Sequence, residues 1–180
     1  MKHILTGLAA VALLTGCGVE TTNEVTLDTK PAAEGKTSAL AAIVGKDVAT
    51  TDAIAIPVLK PVAEIGASIT IEGKIMGSDQ PFVEGRAVML VGDEATIESC
   101  DVLPDDPCKT PWDVCCVDPK TVLAGTATVQ VVDDAGKPLA EGLKGVGGLT
   151  ELSKVRVTGT VAPGSNKDVL VVNASAIQVL

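Results

Sequence analysis

Apolar and polar residues alternate with period two over several stretches of the second half of this chain, the spacing of strands with one buried face. Ile69, Ile71, Gly73 and Ile75 alternate with Thr70, Glu72 and Lys74, and Gly73 in mid-run predicts a bulge or bend. Ala87 to Val91 is a continuous apolar run closed by Gly92-Asp93. Ala127, Val129 and Val131 form a third strand, followed by the turn Asp134-Ala135-Gly136. Val155, Val157, Gly159 and Val161 form a fourth, stopped by Pro163-Gly164. Leu170, Val172, Ala174 and Ala176 share one phase of a fifth, and Ile177 and Val179 take the other, so a bulge is expected near Ser175-Ala176. Between strands three and four, Gly147 to Ser153 predicts one or two helical turns after the glycines. The expected domain covers residues 67–180.

The first half is patterned differently. Lys2 and His3 precede an apolar run from Ile4 to Leu14, too short for the roughly 20 residues that span a bilayer. Basic start, apolar core and small residues describe a secretory signal over residues 1–16. Residues 17–66 are expected to be a tether, partly ordered. Its first part is rich in Thr, Glu, Ala and Lys without apolar period. Leu40, Ile43, Val44, Ile54, Ile56, Val58 and Leu59 follow, interrupted by Gly45, Pro57 and Pro61, and part of this stretch is expected to pack on the domain as a short helix or edge strand.

Composition narrows the chemistry. The chain carries 14 basic and 23 acidic residues, one His, one Phe, one Trp and no Tyr. Loss of residues 1–16 removes Lys2, which takes the net charge from −9 to −10, and removes His3, the only imidazole. Ser-His-Asp and Cys-His catalysis lack their base, and His-ligated metal sites lack their ligand. A strongly acidic chain with two aromatics opposes nucleic-acid binding, which needs cations and stacking rings. These absences predict no enzyme, no catalytic residue, no cofactor and no nucleic-acid partner.

Cys100, Cys108, Cys115 and Cys116 fall between strands two and three, in a loop of residues 100–119 with four prolines and five aspartates. In an exported protein such a loop is expected to be held by disulfides. Bridging the neighbours Cys115 and Cys116 would strain the ring, because adjacent Cα atoms lie about 3.8 Å apart and disulfides prefer about 4.4–6.8 Å. Two pairings stay open: Cys100–Cys115 with Cys108–Cys116, or Cys100–Cys116 with Cys108–Cys115. Four thiolates could instead hold a metal with help from Asp105, Asp106 or Asp113, although no Cys-x2-Cys pair is present. Thiol–disulfide exchange is a third use, disfavoured by the acidic neighbours Asp113 and Asp118. Trp112 and Asp113 are the candidate ligand-binding residues. Trp112 either stacks on a sugar or peptide or packs over the loop as a small core.

Leu14-Thr15-Gly16-Cys17 resembles the lipobox of bacterial lipoproteins, which implies that Cys17 is acylated and becomes the first residue of the mature chain. That resemblance places the domain in the cell envelope, lipid-anchored to a membrane and exposed to the periplasm or exterior. Three strands, a short helix and two strands are the element order of a five-stranded OB barrel, and Val155 to Leu180 resembles the last hairpin of bacterial OB-fold domains. The run Cys108 to Cys116 resembles a Cys-x-Thr-Pro-Trp-Asp-x-Cys-Cys motif of uncharacterised exported bacterial proteins, with Val114 where that motif carries an aromatic. The combined expectation is a mainly β, OB-like envelope lipoprotein that binds a protein, peptide or glycan. A metal-handling or thiol-redox protein is the alternative.

Overall fold

The structure, a computed structural model, describes residues 39–48, 53–102 and 107–180. The lipobox with Cys17, the signal segment, and Asp105 and Asp106 lie outside the described residues. Among the described residues no helix is long and apolar enough to cross a membrane.

Five strands, β1 (Ser68–Lys74), β2 (Val88–Gly92), β3 (Thr126–Gln130), β4 (Lys154–Val161) and β5 (Val171–Val179), close into a barrel of order β1-β2-β3-β5-β4. All pairs are antiparallel except β3 with β5. This mainly β architecture is the OB-like barrel expected from the alternation. Ile69, Ile71, Val91, Ala127, Val129, Val155, Val157, Val172 and Ile177 fill its interior.

The bulge forecast in β5 is present. Thr158 pairs with Ala176 and Gly159 with Ala174, so Ser175 is the extra residue, and its Oγ donates to Thr158 O at 3.2 Å. It switches the buried phase from Ala174 to Ile177, as two apolar residues on opposite phases require. At Gly73 the bulge is absent, because the register of β1 against β4 is unbroken (Gly73 opposite Val155). The glycine serves close approach instead: a Cβ there would lie 2.5 Å from Gly92 O, where β1 meets β2 to close the barrel.

One further expectation is corrected. No helix follows the glycines before β4. A 3-10 turn spans Val146–Gly148, Leu149 plunges into the core, and Leu152 adopts φ 66°, which a right-handed helix cannot contain. Helix instead occurs as α1 (Ile56–Leu59) and α2 (Pro119–Gly125). α2 starts where Asp118 accepts the Lys120 and Thr121 N–H groups at 3.0 and 3.2 Å, with Pro119 at its first position. The core also draws on the described part of the segment between residues 39 and 66. Leu40, Val44, Ile56 and Leu59 are buried in the barrel cluster, Gly45 N donates to Ile177 O at 2.8 Å, and Ile54 N donates to Thr70 O at 2.9 Å.

Candidate functional site

The loop between β2 and β3 is fastened at both ends. At its entry Asp93 is buried. One carboxylate oxygen accepts Ala95 N and Thr96 Oγ1 at 3.0 Å, the other accepts Ile56 N at 3.3 Å, and Asp93 N donates to Gly125 O at 2.8 Å. At its exit Lys60, 5% exposed, donates from Nζ to Thr126 O at 2.6 Å and to Leu123 O. The ammonium therefore satisfies carbonyls that the C-terminus of α2 leaves unpaired. Burial holds its pKa below the ordinary 10.5, against the opposing pull of Asp168.

Between these ends the two limbs of the loop pair with each other. Cys100 N donates to Asp113 O at 2.9 Å and Asp101 N to Pro111 O at 2.8 Å. Lys74, buried at the end of β1, reaches Asp101 at 3.1 and 3.3 Å. Burial pushes the Asp101 carboxyl up, but the Ser99 hydroxyl and Lys74 outweigh it and hold the group below its usual value. Under the loop, Met76, Ile97 and Val114 form a second apolar cluster with Trp112, Val117 and Val122 packed on it.

This clamping gathers the thiols. Cys100 is buried, Cys108 half-buried, and Cys115 and Cys116 exposed. The sulfurs of Cys100 and Cys115 lie 3.7 Å apart and those of Cys115 and Cys116 3.9 Å apart, with no bond between them. Cys100, Cys108 and Cys115 place all three sulfurs within 4.8 Å of one another, and among the described residues no carboxylate joins them. Burial, followed by the neighbouring thiols, pushes the Cys100 thiol up to about 12. The Thr110 hydroxyl and backbone draw Cys108 down. At Cys115 the bond from Cys100 pulls the thiol down, but Cys116, burial and the charges of its neighbours together outweigh it and raise the thiol.

Trp112 both packs on the second cluster and faces a cleft. Its indole N–H donates to Asp79 O at 2.9 Å, and Gly77 N donates to Trp112 O at 3.2 Å, which ties it to the β1–β2 connection. The cleft, about 470 Å³, is lined by Trp112, Phe82, Asp79, Glu84, Lys144 and Glu151, among others. Lys144 and Glu151 bond at 2.6 Å. Burial raises the Glu151 carboxyl, but the Lys144 bond and charge outweigh it and hold its pKa below 4.5. Phe82 and Trp112 are the only aromatic residues in the chain, and they share this one cleft. Asp113 does not reach it; its carboxylate accepts Val114 N at 2.7 Å and shapes its own turn.

Sequence reasoning passed over Phe82, Lys144 and Glu151. The rarity of aromatics pointed to Phe82, whereas nothing local marked Lys144, which sits in a Gly-rich connection. A second hollow of about 400 Å³ lies against α1 and α2, lined by Pro57, Lys60, Leu123 and Asp168 among others. No protein-family model, curated protein or solved structure matches this chain.

Proposed function

We propose that this chain is a lipid-anchored lipoprotein of the bacterial envelope whose OB-like barrel is a non-enzymatic binding module for an envelope glycan. The cleft between the β1–β2 connection, the Cys loop and the β3–β4 connection is its seat. One observation carries the reading: a chain with two aromatic side chains sets both in one cleft. Its volume of about 470 Å³ suits a small-molecule or sugar-ring ligand, for which pockets of about 300–1,000 Å³ are usual. Aromatic faces cover the apolar faces of sugar rings. Asp79, Glu84, Lys144 and Glu151 supply donors and acceptors for ring hydroxyls at the rim.

The acidic balance of 23 carboxylates against 14 cations argues against nucleic acid and leaves membrane attachment to the acyl chains on Cys17. Co-sedimentation of the full chain with purified cell-wall sacculi tests the proposal. The wild type is expected to pellet with them, and W112A and F82A to stay at least tenfold more in the supernatant. Retention by a peptide library with no affinity for glycan would replace the sugar with a peptide. Equal pelleting of the three proteins would remove the cleft from the account.

A further inference from the structure

We propose that Cys100, Cys108 and Cys115 form a three-thiolate site for a soft d10 metal ion, Cu(I) in preference to Zn(II). Thiolate–metal bonds of about 2.3 Å put trigonal sulfurs about 4.0 Å apart and tetrahedral ones about 3.8 Å apart. The Cys100 and Cys115 sulfurs stand at 3.7 Å, and Cys108 completes a group within 4.8 Å.

The arrangement fits a metal better than a pair of bridges. Either two-bridge pairing joins Cys116 to Cys108 or Cys100, and Cys116 is the one sulfur outside the group. Cys115 meanwhile touches both Cys100 and Cys116, of which a bridge could use one. Three soft sulfurs with no carboxylate joining them among the described residues select a thiophilic ion over calcium or magnesium. Three thiolates complete a trigonal Cu(I) site by themselves, whereas zinc held by three protein ligands takes water as a fourth.

The fold supplies the support such a site needs. Cys100 is fixed by its N–H bond to Asp113 O, and Asp101 beside it is held by Lys74. Cys115 follows Val114, which is anchored in the second apolar cluster. Exposure of Cys115 leaves one side open for entry. On binding, each of the three thiols gives its proton to solvent and its sulfur to the metal, and no electrons are transferred.

The test takes the full chain, extracted in detergent under anaerobic conditions, and titrates Cu(I) and, separately, Zn(II) against chromophoric chelators. Expected is one Cu(I) per chain, with C108S and C115S weakened at least 100-fold and C116S within threefold of wild type. Circular dichroism of each variant establishes that the barrel has folded, and Cys108 and Cys115 are chosen because neither is deeply buried. In parallel, thiol alkylation during cell lysis followed by peptide mapping reads the native state of each cysteine. Cysteines 100, 108 and 115 bridged in the native protein would overturn the proposal. So would C116S losing as much affinity as C115S, or C108S and C115S losing none. None of these outcomes touches glycan binding at Trp112, so the two readings fail separately.

Discussion

Replacing Lys60 with Met isolates the clasp that joins the N-terminal segment to the exit of the Cys loop. Met keeps the length of the side chain and its helix compatibility but removes two hydrogen bonds, to Thr126 O at 2.6 Å and to Leu123 O. Each bond to a charged group contributes about 1.5–3 kcal/mol. Relief of the buried ammonium returns part of that sum, so K60M is expected to lose about 2–4 kcal/mol. At about 3–5 °C per kcal/mol for a domain of this size, the midpoint falls by about 6–20 °C. Urea unfolding of K60M and wild type measures the difference, and hydrogen exchange at the amides of α2 locates it.

The pH dependence has a definite sign. Burial holds the Lys60 pKa below 10.5, so the charged form carries a cost that is complete below the folded value. That cost disappears as pH rises from the folded value to 10.5, because the unfolded chain binds the extra proton in that window. The stability advantage of wild type over K60M should therefore widen as pH climbs toward 10.5. A variant as stable as wild type within about 0.5 kcal/mol, the range of ordinary surface substitutions, would refute the reasoning. So would a gap that narrows with rising pH.

Three other predictions are independent of the clasp. Gly159→Ala places a Cβ 2.2 Å from Asn173 O and 2.9 Å from Ala174 Cα, both backbone atoms, so β4 and β5 must part at the bulge. The cost should be about 3 kcal/mol, the upper part of the overpacking range, read by urea melts; a cost under about 1 kcal/mol would show that the strands yield freely. The Lys144–Glu151 pair is half exposed and contributes about 0.2–1 kcal/mol. Because the Glu151 pKa is held below 4.5, that contribution is present above 4.5 and lost as pH falls through the folded value, and E151Q should abolish this acid-side slope. Intact mass spectrometry of chain extracted from membranes should show residues 1–16 removed and fatty acyl mass on Cys17; an unmodified N-terminus would remove the anchor.

The barrel strands were legible because each buries one face and alternates accordingly. Even the bulge at Ser175 was written in the phase change between Ala174 and Ile177. The bulge at Gly73 fails because a glycine in mid-strand signals a bulge, a bend or a close approach, and the sequence does not show that Gly92 lies against it. Asp118-Pro119 carried a helix-start signal, yet the prolines and aspartates around it read as loop. Leu40, Val44, Ile56 and Leu59 looked like broken apolar fragments because their partners lie more than 100 residues away in part, as Val44 and Ile177 do. The Cys loop was legible as a cluster but not as three sulfurs with a fourth outside. Of the cleft only Trp112 was legible: Phe82, Trp112 and Lys144 come from three connections that only barrel closure brings together.

The claim that this cleft is the ligand seat is tested most directly by Trp112, the only tryptophan in the chain and so the only source of its emission. Soluble cell-wall glycan fragments should shift that emission saturably and shield it from acrylamide quenching, with F82A binding at least tenfold more weakly. Fragments that bind while Trp112 emission and quenching stay unchanged, or that fail to bind at all, would contradict it.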